Sequence, residues 1–195
     1  MRKNGANTKS RIISAAWKLF YEKGFEGTTI EDIVSLSETS KGSFYHYFEG
    51  KDSLLGTLST LFDEKYEELI PLIPAESDSF EVLMYLNREL FLMIENSISI
   101  EMLSRLLSTQ LFARGERHLL DRNRTYFKLL LKTVRDGQMR GELRSDVSAN
   151  EIVKEYALCE RAFMYDWCLC SGEYSLAVYS APLMRAFLSH YKTEI

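Results

Sequence analysis

The segment SETSKGSFYHYF, residues 37–48, places four small hydroxyl residues, one lysine and one glycine directly before an aromatic cluster with a single histidine. We expect a turn followed by a short helix over about residues 40–48, because Phe44 and Phe48 recur at helical spacing. Glycine costs a helix about 1 kcal/mol relative to alanine, so Gly42 needs a compensating reason. A first turn without bulky side chains lets the backbone approach another molecule closely.

Two further helices are predicted before this segment. An apolar stripe defines the first, and Gly24 closes it as a C-terminal cap. The sequence TTIE, residues 28–31, predicts a capping box at the start of the second. Two short helices joined by a turn of three or four residues form a helix-turn-helix, and the preceding helix completes a three-helix core. The stripe of the first helix consists of Ile12, Ile13, Ala16, Leu19 and Phe20.

The remaining sequence also has helical periodicity, and no run alternates like a strand. We predict an all-α protein of about nine helices, with later helices over about residues 51–70, 79–95, 99–112, 119–139, 148–170 and 183–191. The expected domains are residues 1–50, which contain the helix-turn-helix, and residues 51–195, a second helical domain. Prolines and polar residues in the segment 71–79 mark a break between functional parts.

The composition is that of a globular protein, with 46% hydrophobic and 12% aromatic residues. The longest uncharged run, residues 174–184, is far shorter than the roughly 20 residues that span a bilayer. The basic start does not resemble a signal peptide, so we expect a cytoplasmic protein without a membrane partner. Three cysteines, Cys159, Cys168 and Cys170, make a poor disulfide framework, and buried reduced thiols are favoured over a redox switch or soft-metal site.

Charge is distributed unevenly along the chain. The net charge is −4, yet residues 1–55 carry 8 basic and 7 acidic residues, and residues 56–195 carry 16 and 21. Six of the basic residues fall within the first 25 positions, against Glu22 alone. Attraction to phosphate is therefore expected to be local to the N-terminal part.

Catalytic motifs do not fit the sequence. Gly50 and Lys51 suggest a phosphate-binding loop, but Tyr45 and Asp52 stand where that motif requires glycine and serine or threonine. The three histidines are scattered among predicted helices, and no HExxH or GxSxG motif occurs. We therefore expect neither an enzyme nor a bound cofactor or metal.

Residues 8–55 resemble the DNA-binding domain of the TetR family of transcriptional repressors. Where that family commonly has an alanine-glycine-valine turn, this chain has Ser37, Glu38 and Thr39, so Glu38 is expected at positive φ. The residues that carry the resemblance are Ile12, Ala15, Leu19, Phe20, Gly24, Phe25, Thr28, Thr29, Ile33, Ser40, Lys41, Gly42, Phe44, Tyr45, His46, Phe48, Lys51 and Leu54.

The resemblance implies a double-stranded DNA operator as partner. It implies base contacts from Lys41 and Ser43 and close backbone approach at Gly42. The basic arm, residues 2–9, adds nonspecific attraction or enters a minor groove, or else is a disordered tail. The phosphate contacts that the resemblance implies come from Thr29, Ser40, Tyr45, His46, Tyr47 and Lys51.

A later segment, YALCERAFMYDWCLC (residues 156–170), is apolar on nearly every face and must be covered from two sides. The family's arrangement is a two-fold homodimer formed by the last two long helices, which also presents two recognition helices to a palindromic operator. The predicted interface residues are Tyr156, Cys159, Phe163, Leu183, Phe187 and Tyr191.

The resemblance also implies that residues 1–50 are a DNA-binding domain and that residues 51–195 are a helical domain for effector binding and dimerisation. It implies a small-molecule effector of unknown identity, bound among the middle helices, that favours the conformation with poor DNA affinity. Apolar and aromatic lining suggests a hydrophobic or aromatic effector. An alternative function is a helical dimer that acts mainly through a protein partner and retains residual DNA binding. The predicted pocket residues, each of which also fits an ordinary core, are Phe62, Tyr66, Phe91, Met102, Tyr126, Phe127 and Trp167.

Overall fold

A computed structural model describes residues 3–74, 76–112 and 117–193, with side chains from residue 7 onward. Within these residues the chain forms nine α-helices, and its only bridge pairing joins Leu143 and Lys192. The predicted all-α fold is confirmed. The chain divides into two compact units, Met1–Ser59 and Thr60–Ile195. The assignment of separate functions to residues 1–50 and 51–195 stays a prediction.

The first unit contains α1 (Lys3–Lys23), α2 (Ile30–Leu36), α3 (Lys41–Tyr47) and a 3-10 helix (Lys51–Thr57). Gly24 ends α1 with a φ of 76°, and its N–H donates to the carbonyl of Phe20 at 3.0 Å, as expected of a C-terminal cap. Residues of the three helices and the 3-10 helix share one core. It includes Ile12, Ala16, Leu19, Phe20, Phe25, Ile33, Phe44, Phe48, Leu54 and Leu55.

The capping box of α2 lies one residue later than predicted. Thr29, and not Thr28, is the N-cap: its Oγ1 accepts the N–H of Asp32 at 3.1 Å, and Asp32 Oδ2 accepts the N–H of Thr29 at 3.0 Å. Thr28 is buried instead, and its hydroxyl donates to the carbonyl of Gly24 at 2.8 Å. Thr28 therefore holds the end of α1 and not the start of α2.

The predicted helix over residues 51–70 is divided into the 3-10 helix and α4 (Leu58–Leu69), which runs into the second unit. The predicted helix over residues 119–139 is also divided, because only a 3-10 turn (His118–Leu120) precedes α7. The other elements of this unit are a 3-10 turn at Ile70–Leu72, α5 (Ser79–Ser97), α6 (Ile100–Phe112), α7 (Thr125–Met139), α8 (Ala149–Leu169) and α9 (Leu176–Ser189).

The last helix starts earlier than expected. It begins at Leu176, so Pro182 lies inside α9 and has no N–H to donate to the carbonyl of Val178, four residues before it. The N-cap is Ser175, whose hydroxyl accepts the N–H of Val178 at 3.3 Å.

Helix α5 is the centre of the second unit. It packs against α7 and α9, and α8 packs against α6, α7 and α9. Both apolar and polar side chains of α5 are buried, including Asn87, so its polar groups need partners on neighbouring helices. Among the described residues, no helix combines the length and hydropathy that crossing a membrane requires.

Candidate nucleic-acid interface and effector cavity

The first turn of α3 is exposed and carries small side chains, as predicted. Ser40 is the N-cap, and its Oγ accepts the N–H of Ser43 at 3.0 Å. Lys41 and Gly42 are exposed and Ser43 is half-buried. A Cβ atom on Gly42 would meet only Ser40 Oγ, at an ordinary distance of 3.8 Å. Packing within the protein therefore does not require glycine at this position.

Lys41 has an internal partner in the free protein. Its Nζ donates to the carboxylate of Glu31 on α2, and both side chains are exposed. This hydrogen bond raises the pKa of Lys41 and lowers the pKa of Glu31. Contact between Lys41 and a base would have to compete with this pair.

The aromatic residues of α3 point in two directions. Phe44 and Phe48 are buried in the core of the first unit. Tyr45 is 55% exposed, His46 is exposed and Tyr47 is half-buried. The exposed face thus offers hydroxyl and imidazole groups that can donate to phosphate oxygens.

The turn between α2 and α3 is held by a residue that sequence analysis missed. Glu38 adopts a φ of 50°, the positive value expected from the absent glycine. The Arg11 guanidinium on α1 donates to the carbonyls of Ser37 and Glu38, the second at 2.8 Å. Arg11 therefore ties the turn to α1 and compensates for a backbone conformation unfavourable for glutamate.

Lys51 has structural partners that the sequence did not indicate. Its Nζ donates to the carbonyls of Phe25 at 2.6 Å and Thr28 at 3.0 Å, and lies 4.3 Å from the centre of the Phe25 ring. The ammonium group therefore donates to carbonyls of the segment between α1 and α2.

Of the other predicted phosphate contacts, Thr29 is exposed beside the N-terminus of α2. In the basic arm, Arg2 lies outside the described residues, and the backbone is helical from Lys3.

Three of the predicted pocket residues, Phe62, Tyr66 and Tyr126, meet at one small cavity of about 30 Å³ in the second unit. The other four do not line it. Phe91, Met102, Phe127 and Trp167 are buried elsewhere in the core, and their role in ligand binding stays a prediction. Their apolar character alone could not separate core from cavity.

The cavity contains an acid that sequence analysis missed. Glu160 on α8 is 1% exposed, and its carboxylate accepts hydrogen bonds from Asn87 Nδ2 at 2.9 Å and Tyr126 Oη at 2.7 Å. Burial raises the pKa of Glu160. An acidic residue in the middle of a helix that is apolar on nearly every face was the sequence signal for a buried charge.

The predicted dimer residues fall into two groups. Tyr156 and Tyr191 are buried within the chain, where their hydroxyls donate to the carbonyl of Leu83 and the carboxylate of Glu155, so these two are corrected to core residues. Leu183 is 47% exposed. The half-buried members are Cys159, Phe163 and Phe187.

Comparison with known proteins agrees with the helix-turn-helix. Residues 12–58 match the family described as bacterial regulatory proteins, tetR family. An HTH-type transcriptional regulator of Lactococcus lactis subsp. lactis is 48% identical over 48 residues, which are 25% of this chain and 24% of that protein. TtgR of Pseudomonas putida, also an HTH-type transcriptional regulator, is 26% identical over 161 residues, 76% of each chain.

A solved structure shares the whole fold. The transcriptional regulator FadR from Bacillus subtilis, in complex with stearoyl-CoA, has a TM-score of 0.69 and 17% identity, covering 92% of this chain and 97% of FadR. The fold and the exposed helix α3, the second helix of the helix-turn-helix, together define a DNA-binding transcriptional regulator of the helix-turn-helix class. Residues 12–58 match the DNA-binding domain of the TetR family of transcriptional regulators.

Proposed function

We propose that this protein is a cytoplasmic, ligand-responsive repressor that binds a palindromic operator as a homodimer and is released by a small hydrophobic or aromatic effector. The observation that carries the proposal is the exposed first turn of α3. Gly42 is bare although its surroundings leave room for a side chain, and Lys41 and Ser43 flank it. A surface of this kind suits close approach of the backbone to a DNA groove.

The exposed apolar face of α9 supports a homodimer. Val178 is 73% exposed, Tyr179 52% and Leu183 47%, and their spacing places them on one side of the helix. Apolar side chains clustered in this way mark interaction sites on soluble proteins. A two-fold pair through this face presents two recognition helices, which is what a palindromic operator requires.

The cavity at Glu160 supports effector binding, because it combines apolar walls with a few convergent polar groups. Two solved structures of the same fold hold small molecules, stearoyl-CoA in FadR and resorcinol in RolR. These ligands differ widely, so the effector class of this protein has to be argued from its own residues.

The proposal is tested by titrating a labelled duplex from upstream of the protein's own gene at several salt concentrations. We expect binding that weakens steeply as salt rises. The variants Lys41→Ala and Ser43→Ala should change the preference among operator variants, whereas Lys128→Ala on α7, a control of equal charge change, should not. Absence of binding at low salt would refute the regulator proposal, and equal losses across all operators would refute the assigned readout.

A further inference from the structure

The buried cavity and an open groove share a wall. The groove has a volume of about 770 Å³ and is bordered by α6, α8 and the 3-10 turn before α7. Leu119 and Arg161 line both the groove and the cavity of about 30 Å³. The cavity by itself has space for roughly one water molecule. A larger ligand would need to displace the Leu119 side chain and join the two spaces.

The groove is apolar. Its α8 side includes Leu158, Tyr165 and Leu169, which are 57%, 48% and 69% exposed. Leu111 on α6 faces the same space and is 63% exposed. This surface matches the hydrophobic body of a small molecule.

The cavity presents a carboxylate without a cationic partner. Glu160 receives hydrogen bonds from the neutral groups of Asn87 and Tyr126, and the ion pairs among the described residues do not include it. A buried carboxylate is costly unless a positive charge compensates it. A ligand could supply that charge.

Aromatic groups surround this carboxylate. Tyr66 is 1% exposed, and its hydroxyl has no hydrogen-bond partner among the described residues. The rings of Tyr66 and Tyr126 lie 5.3 Å apart, and Phe62 lines the same cavity. Aromatic faces next to a carboxylate form the usual environment for an organic cation.

Two arginines also border the cavity and must be considered. Arg124 is engaged with Asp63 through two hydrogen bonds of 3.0 and 3.1 Å, so its charge is compensated. Arg161 follows Glu160 on α8 and favours the ionised form of that acid. Its charge would oppose a cationic ligand and attract an anionic one, which makes Arg161 a useful test position.

We infer that the cavity and groove together form the effector site, and that the effector carries a protonated or quaternary nitrogen on an apolar body. The nitrogen lies against Glu160 and the three aromatic rings, and the body occupies the groove. This inference rests on the proposed ligand-responsive function and specifies its ligand.

The test compares three probes on the unmodified protein: benzyltrimethylammonium, its uncharged carbon isostere neopentylbenzene, and the anion phenylacetate. Calorimetry and thermal unfolding should show the cation bound at least about tenfold more tightly than the other two, as expected when a buried charge gains a partner. Equal affinity for the cation and its isostere, or tighter binding of phenylacetate, would overturn the inference without any variant having to fold.

Variants locate the site. Glu160→Gln should remove the preference for the cation, whereas Glu151→Gln, which changes an acid on the exposed first turn of the same helix, should retain it. Arg161→Ala should leave the affinity for the cation unchanged or raise it. A preference for the cation that survives in folded Glu160→Gln would place the ligand elsewhere. Loss of cation binding in Arg161→Ala would contradict the opposing effect of the Arg161 charge and refute a cationic effector.

Operator release is measured separately with the same probes. Cation binding at Glu160 without loss of operator affinity would uphold the site and refute the proposed induction. Release by compounds whose effect is the same in the parent and in Glu160→Gln would uphold induction and refute the site.

Discussion

Replacing Gly42 with alanine separates the stability of α3 from its role at DNA. The new Cβ would lie 3.8 Å from Ser40 Oγ and meet nothing closer, so the free protein has no steric reason to reject it. Alanine favours helix over glycine by up to about 1 kcal/mol, and less in a first turn. We therefore expect Gly42→Ala to unfold at the same temperature as the parent or slightly higher.

Operator binding should respond in the opposite direction. If the backbone at Gly42 contacts the duplex closely, an added methyl group overpacks the interface, which typically costs about 1–3 kcal/mol and so weakens binding about 5- to 150-fold. Fluorescence anisotropy with a labelled operator measures this loss, and differential scanning calorimetry measures stability. A variant that binds the operator as tightly as the parent would refute the reasoning about the bare first turn.

Gly137→Ala is the reverse control. A Cβ at Gly137 on α7 would lie 2.6 Å from the Cβ of Ser79, which is tighter than real contacts. This variant should lose roughly 1–3 kcal/mol of stability by overpacking, yet its folded fraction should bind the operator with the parent's affinity. The two glycine substitutions would then show opposite effects on the two measurements.

Three further predictions concern charged and hydroxyl groups. Glu31→Gln removes the carboxylate that holds Lys41, so operator affinity in anisotropy titrations should rise, and an unchanged or lower affinity would contradict the competition. Tyr66→Phe deletes a buried hydroxyl that has no partner among the described residues, so it should leave the free energy of unfolding unchanged or raise it. Tyr126→Phe removes a hydrogen-bond donor to Glu160 and should lower the free energy of unfolding by about 1–3 kcal/mol. Equal effects of the two variants in chemical unfolding would contradict the hydrogen-bond assignment. Burial raises the pKa of Glu160 above its ordinary value of 4.5, so ionisation of this carboxyl group destabilises the folded state. The parent should therefore lose stability relative to Glu160→Gln as pH rises from about 4.5 through the raised pKa. Melting temperatures that shift in parallel over that range would show that Glu160 does not titrate in this way.

Periodicity predicted the helices but not their first residues. Two adjacent threonines, Thr28 and Thr29, are each followed three residues later by an acid, so two overlapping capping boxes were equally consistent with the sequence. Tertiary packing decides between them, because Thr28 is buried against the end of α1 and only Thr29 remains at the surface. A local pattern carries no information about that burial.

Long-range polar contacts could not be predicted from the sequence, because a local pattern carries no information about tertiary packing. Arg11 reaches the turn at Ser37 and Glu38, and Lys51 reaches the carbonyl of Phe25, both across 26 positions or more. From the sequence, a phosphate contact is predicted for Lys51 and no role in this turn for Arg11. The positive φ of Glu38 was predictable from a missing glycine, but the arginine that stabilises this turn was not.

The position of α8 connects the proposed effector site with the proposed dimer face. Glu160 is buried on the side of α8 that borders the cavity, while α9, which carries the exposed Val178, Tyr179 and Leu183, packs against the same helix. A ligand too large for a cavity of about 30 Å³ has to move its walls, and close-packed helices transmit such shifts to their neighbours. An effector would therefore change the geometry of the proposed homodimer only to the extent that it binds the protein with a shifted α8 more tightly. If Glu160 provides this preference, Glu160→Gln should lose both its preference for a cation and the effect of the cation on operator affinity.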